Sequence, residues 1–222
     1  CITCTSWEAW NGASQVFPYP MRNVRSWGIS WPMILHFVAT DASGIETISQ
    51  MKGHTLSASF PGQTAFLIDT KALAIHGLDI LNDVKLSQQE AADALSSMAD
   101  GQLDVYAWNH SIPQASIIEL AMNTKVHFIE WEEGKLDQFL AENPQYAKMH
   151  VPAGTYTFND KDYWTIGVVT DLICHKDLDE ELVYQMTKAY WEQQDRFLNI
   201  MREAQSYATL ETAMSDLIVP LH

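Results

Sequence analysis

The spacing of apolar positions changes period along this chain, and each change marks an element. From His54 to Phe60, Leu56, Ala58 and Phe60 fall on one side and Thr55, Ser57 and Ser59 on the other, the period-two alternation of a strand. Helical spacing begins at about Gly62 and runs to His76, with Gly77 standing where a helix cap belongs. Ser87-Gln88-Gln89-Glu90 has the form of a capping box and predicts a helix turning Ala91, Leu95 and Met98 inward until Gly101. Gln102 to Trp108 reads as a strand. Ser111 then stands as the cap of a helix with Pro113 near its first turn and Ile117, Leu120 and Ala121 as its stripe. Val126 to Trp131 predicts a strand, Gly134 to Glu142 a short helix, and Tyr163 to Ile173 a long strand. Asp177 or Asp179 opens a long helix to about Gln205, carrying Leu182, Met186, Ala189, Phe197, Met201 and Ala204 on one side.

The first 35 residues have weaker periods. A short helix or turn is predicted around Ser6 to Gly12, and Pro18, Pro20 and Pro32 break the stretch after it. His36 to Ala39 predicts a short strand, Asp41 to Gly44 a turn, and Thr47 to Met51 one helical turn. Thr209 to His222 predicts a short helix and tail. Strands alternating with helices give an α/β class with mainly parallel pairing.

A length of 222 residues allows one large domain or two small lobes, and 47% apolar with 18% charged residues is a globular composition. No run of eighteen apolar residues occurs. The start at Cys1, with neither an initiator Met nor a secretory pattern, reads as that of a mature or truncated segment. A net charge of −15 and a pI near 4.7 argue against nucleic acid as a partner. An anionic ligand would therefore be held by local N–H groups and dipoles against the global charge. The eight Trp residues are expected first as core and second as pocket walls. Cys1 and Cys4 form C-I-T-C, but no second pair or paired His completes a metal site, so a structural or incidental role is expected.

Two loop-to-helix junctions carry the candidate chemistry. Helix starts leave backbone N–H groups unpaired at the positive end of the helix dipole, so two facing one cleft would grip a small anion without a catalytic group. In the first, Pro61-Gly62-Gln63-Thr64 lacks the spacing of a P-loop or a dinucleotide fingerprint. There remains a Gly that admits a ligand close to the backbone, then Gln and Thr side chains in the first turn. In the second, Trp108-Asn109-His110-Ser111 precedes Pro113. His110 has the chemistry of a general base, yet there is no G-x-S-x-G elbow and no H-E-x-x-H, so a ligand contact or a surface residue is the expectation. Glu130, Glu132, Glu133, Asp160 and Asp162 read as solvated acidic edges. No catalytic residue, metal site or cofactor is predicted.

The order of segments resembles the TAXI-type solute-binding proteins of tripartite (TRAP) transporters, over nearly the whole chain. The resemblance rests on Ser43 to Leu56 (S-G-I-E-T-I-S-Q-M-K-G-H-T-L), A-S-F-P-G-Q-T, Ala72 to Val84, D-G-Q-L-D-V, S-I-P-Q-A-S-I-I-E-L-A, V-P-A-G-T-Y and L-D-E-E-L-V-Y-Q-M-T-K-A-Y. It implies a two-lobed periplasmic-binding-protein-like fold of type II, closing by a hinge on a small carboxylate such as glutamate or glutamine, located in the periplasm and delivering to a membrane permease. Residues 1–40 would belong to lobe I, 41–150 to lobe II, and 151–222 to the return into lobe I. By position the ligand contacts would be Pro61, Gly62, Gln63 and Thr64, then Asn109, His110, Ser111 and Pro113, with Tyr156 in a third loop and Trp7 from the first lobe; one or more of Trp7, Trp10 and Trp108 would cover the ligand's apolar part. Gln63 and Thr64 are bulkier than the family's usual Gly and Ser there, which implies a different pocket shape. The family's opening strand, ligand loop and helix have no counterpart here, so an incomplete first lobe and self-association across its gap are expected. A ligand-sensing domain of a signalling protein, or an enzyme with His110 as base, would use the same fold.

Overall fold

The longest strand is the one the periodicity conceals. β1 runs Val24–Thr40 and is buried almost continuously over its second half. A strand covered on both faces loses the in-out alternation that betrays a half-buried one. The short strand expected at His36 to Ala39 is only its last part, and the break expected at Pro32 does not occur. The computed structural model describes residues 2–14, 16–200, 209–214 and 217–222, with backbone alone at 197 and 200. The structural or incidental role expected of Cys1 lies outside them; Cys4 is buried.

Two compact units divide the chain. One comprises Ile34–Pro144 and Lys148–Gly167, the other Cys1–Met33, Gln145–Ala147 and Val168–His222. The chain passes from one to the other at Met33/Ile34, Pro144/Gln145, Ala147/Lys148 and Gly167/Val168.

In the first of these units, β2 (Thr55–Ala58), β3 (Lys85–Gln88), β4 (Val105–His110) and β5 (Val126–Phe128) join the end of β1. The hydrogen-bonded order is β3-β2-β4-β1, with β5 also on β1. β2 is parallel to β3 and β4, but β1 is antiparallel to β4 and β5. The expectation of mainly parallel pairing is corrected to a mixed sheet, because β1 enters against the direction of the βαβ strands.

The register Ile34↔His110, His36↔Trp108 and Val38↔Tyr106 sorts side chains onto two faces. On one, Ile34, Val38 and Tyr106 pack with Leu95 of α3 (Ala91–Ala99) and Ile117 of α4 (Ala115–Asn123). On the other, Phe37 meets Trp131 (ring centroids 6.4 Å), which contacts Phe139 of α5 (Lys135–Glu142) and His76 at the end of α2 (Thr64–Ile75).

Several local expectations change. Ser87 lies within β3 instead of capping a helix; Glu90 is the cap residue of α3 and contributes no side-chain bond. Ser111 is likewise not a cap, since α4 starts beyond Gln114. The turn after Thr47 does carry a capping box with Gln50. Glu132, expected on a solvated edge, accepts from the Ser49 N–H (2.9 Å) and lies 2.8 Å from His76 Nε2.

In the other unit, α1 (Thr3–Asn11) ends at Gly12 in the left-handed conformation. Strands β6 (Ala147–Val151) and β7 (Tyr163–His175) each run from one unit into the other. The Thr3 hydroxyl accepts from Val169 N–H (3.2 Å), and Ser26 donates to Asp171 (2.5 Å). Asp179 caps α6 (Glu180–Glu192) by accepting from Leu182 N–H, 3.0 Å away. The long helix breaks at Gln193, and α7 (Gln194–Ile200) comes next. The expected stripe is rotated: Val183 is buried while Leu182 and Ala189 are exposed. The side chain of Phe197, and Met201 and Ala204, fall outside the described residues. Among those described, no helix is long and apolar enough to cross a membrane.

Candidate functional site

Because β2 and β4 are parallel neighbours, their carboxyl ends lie at one edge of the sheet. From that edge Ser59 to Gln63 leads into α2 and Ser111 to Gln114 leads into α4. The cap residues are Gln63 and Gln114, both extended, and neither gives its helix a side-chain cap. Two sets of first-turn N–H groups, each at the positive end of a helix dipole, thus point to the same edge.

In the first loop Pro61, Gly62 and Gln63 are exposed and Thr64 is half-buried. Gly62 has φ +90° with no atom within 4 Å of where a Cβ would stand, so backbone is openly presented there. Gln63 N–H donates to Phe60 O (3.0 Å), and its side-chain oxygen is in close contact with the Ser59 hydroxyl.

In the second loop, strand alternation puts Tyr106, Trp108 and His110 on one face and Asn109 on the other. The three rings stack, Tyr106 on Trp108 at 6.3 Å and Trp108 on His110 at 6.5 Å. The Tyr106 hydroxyl is hydrogen-bonded to His110 Nε2. Burial, assisted by the nearby His36 ring, pushes the His110 pKa down to about 3. It is a neutral ring at physiological pH, able to share a hydrogen bond but a poor proton acceptor. Ser111 is half-buried, and Pro113 is exposed behind a cis Ile112–Pro113 bond.

Asn109 is 5% exposed, and both its amide nitrogen and its oxygen lack a hydrogen-bond partner. By register it shares the face of Leu35 and Ala107, the face that α2 covers. Asp69, with Ile68, Ala72 and Leu73, forms the buried side of α2, and both its carboxylate oxygens are also unpartnered. Burial raises its pKa well above the usual carboxylate range. Polar groups left unpaired in the interior are costly, so they mark where a further partner would gain most.

Tyr156 stands behind the start of α4. Its hydroxyl accepts from the Gln114 N–H (2.9 Å) and lies 2.9 Å from His36 Nε2, while His36 Nδ1 is 2.8 Å from Ile34 O. Burial lowers the His36 pKa to about 4, with the Ile34 carbonyl opposing, so the ring is neutral. Nδ1 must then carry the proton it gives to the carbonyl, and the Tyr156 hydroxyl donates to Nε2. Tyr156 is 3% exposed, so its hydroxyl is engaged inside the fold. Trp7 belongs to α1 of the other unit and is half-buried; its carbonyl accepts from the Asn11 amide (2.9 Å).

The sheet edge therefore gathers Pro61 to Thr64 and Trp108 to Pro113, while Tyr156 supports the second junction. Sequence reasoning passed over His36, Asp69 and Gln114. The available signals were a His inside the apolar run I-L-H-F-V-A and an acid at stripe spacing in F-L-I-D-T-K-A-L. A cavity of about 660 Å³ beside α4 is lined by Ile118 and the loop from Ala153 to Tyr156. Another, of about 410 Å³, opens at the opposite sheet edge between Asp41, Glu46, His127 and Glu130. Among the described residues no group of three or more His, Cys, Asp or Glu is arranged to hold a metal ion.

Among solved structures, the chain resembles one reported with glutathione import through GshT and the cystine ABC importer TcyBC of Streptococcus mutans. They share 13% identity over 83% of this chain and 62% of that one, with a TM-score of 0.45. The second substrate-binding domain of a putative amino acid ABC transporter from Streptococcus pneumoniae matches at 10% identity over 82% and 65%, TM-score 0.43. The periplasmic aliphatic sulphonate-binding protein SsuA from Escherichia coli matches at 16% identity over 57% and 44%, TM-score 0.37. The chain thus spans less than two-thirds of the length of each of these proteins. By sequence, residues 3–222 match the NMT1-like family, and the chain belongs to that family.

Proposed function

We propose that this chain is the ligand-binding part of an extracytoplasmic solute receptor of periplasmic-binding-protein type, taking a small carboxylate such as an amino or organic acid and passing it to a membrane permease. The observation that carries the proposal is the pair of uncapped helix starts at one carboxyl edge, beside the open backbone of Gly62. Such an edge holds an anion with N–H groups and dipoles alone, which suits a chain whose net charge repels anions. In this reading Gln63, Thr64 and Ser111 give side-chain hydrogen bonds, Trp108 gives an apolar wall, and Asn109 gives an amide that now lacks a partner. His110 gives a neutral hydrogen bond; its low basicity speaks against a turnover role. The TRAP type of permease is inferred from the order of segments along the chain, and an ABC permease is the rival partner.

Thermal-shift measurement against glutamate, glutamine, dicarboxylates and aromatic acids tests the proposal. A ligand at a hundred times its Kd adds about 2.7 kcal/mol to the stability of the folded state and raises the melting temperature. Asn109→Leu should abolish that shift and leave the ligand-free protein as stable as before or more so, because it removes a buried unpaired amide. A screen silent across all carboxylates would sink the proposal.

A further inference from the structure

The first 40 residues carry two arginines and one acid, Glu8, whereas the chain as a whole is at −15. The two arginines converge on one ring. The Arg22 guanidinium lies 4.4 Å from the Trp10 centroid and that of Arg25 lies 5.7 Å from it. Just ahead of Arg22 is the apolar segment V-F-P-Y-P-M, with Val16 68% exposed, Tyr19 79% and Met21 39%. These side chains project from a built loop. Met21 N–H donates to Ala9 O (2.8 Å), Phe17 N–H to the Ser14 hydroxyl (3.2 Å), and Ala13 N–H to Glu8 O (3.0 Å). The backbone of Pro20 lies so close over Gly12 that a Cβ there would come within 2.6 Å of its nitrogen.

We infer that the Val16-to-Met21 loop, with Trp10, Arg22 and Arg25, is a docking site for an anionic lipid surface. Apolar and aromatic side chains held outward beside paired arginines match the requirements of a membrane interface. Tyr and Trp rings favour the headgroup depth, apolar side chains enter the acyl boundary, and guanidinium groups meet lipid phosphates. An exposed apolar loop on its own would fit many partners. The local excess of positive charge in an otherwise acidic chain selects an anionic one, and it would orient the chain, since the remaining surface is repelled by the same membrane. The preset loop lowers the ordering cost of docking.

Co-sedimentation with mixed phosphatidylcholine–phosphatidylglycerol vesicles, against phosphatidylcholine alone, tests this. The chain should bind the anionic vesicles only, and release as salt rises. Arg22→Gln and Arg25→Gln should each weaken partitioning roughly fivefold. Tyr19→Ser combined with Met21→Ser should weaken it further while melting falls only slightly, since Tyr19 is 79% exposed and Met21, at 39%, is the more covered of the two. Lys188→Gln, on the exposed side of α6, should leave binding as it was. Failure to bind anionic vesicles, insensitivity to the arginines, or an equal loss from Lys188→Gln would each overturn the inference. So would capture by an acidic polypeptide that persists in the Tyr19 and Met21 variant, which would mark the patch as a protein-docking surface.

Discussion

The hydroxyl of Tyr156 joins the ring of His36 at 2.9 Å and, by accepting from Gln114 N–H at the same distance, ties β1 to the start of α4. One side chain thus fixes where one of the two candidate anion-binding helices begins. Tyr156→Phe leaves a buried imidazole nitrogen and a backbone N–H unpaired. The expected cost is about 1–3 kcal/mol, measured by urea unfolding. A change within error would mean that water replaces the hydroxyl without loss.

The same ring makes the fold sensitive to acid. His36 has its pKa lowered from 6.5 to about 4 by burial, and His110 from 6.5 to about 3. Depressed folded-state values place the stabilisation above pH 6.5. As pH falls below 6.5 the unfolded chain takes up protons that the native state refuses, and stability is lost progressively until the folded pKa values are reached. His36 alone accounts for about 3 kcal/mol of that loss. The two rings lie 5.8 Å apart and oppose each other's protonation, so their contributions do not add simply. Unfolding free energies at about pH 7 and about pH 5 should differ by more than 1 kcal/mol, and His110→Gln should shrink the difference.

Asp69 has the opposite sign. Burial raises its pKa, so the folded state favours the protonated acid at low pH and is penalised as pH rises through the folded value. Asp69→Asn, similar in shape and never charged, should raise the melting temperature at neutral pH. The gain should disappear below about pH 4, where the unfolded carboxyl is also protonated. A lower melting temperature at every pH would mean that the carboxylate has a partner worth more than its burial costs.

Gly12 and Gly62 both have positive φ but differ in their surroundings. An alanine at 12 would meet Pro20 N at 2.6 Å and Tyr19 C at 2.7 Å, whereas an alanine at 62 meets nothing within 4 Å. Gly62→Ala therefore costs only backbone strain, about 1 kcal/mol. Gly12→Ala adds a clash with backbone and should cost more, while releasing the loop that holds Tyr19 and Met21. Differential scanning calorimetry of the two variants gives the order directly.

The sequence by itself determined the elements whose burial is one-sided or whose ends are marked locally. The β2-to-α2 junction, α5, the Asp179 cap and most of β7 are legible because period and capping chemistry are properties of neighbouring residues. That a helix follows each of β2 and β4 was legible for the same reason, although the second begins beyond Gln114 and not at Ser111. Tertiary structure decided the rest. β1 hides its period because both its faces are covered, so neither its length nor its antiparallel pairing with β4 is written in any short window. Ser87 and Ser111 have the form of caps, yet Ser87 lies within β3, paired with Ser57, where strand pairing outcompetes a single side-chain bond, and Ser111 stands in the loop ahead of α4. That Asn109 and Asp69 lie on the same covered face, and that Tyr156 bonds to His36 120 positions away, depends on register and packing. Contacts so distant in sequence leave no local signature, and only the folded chain brings them together.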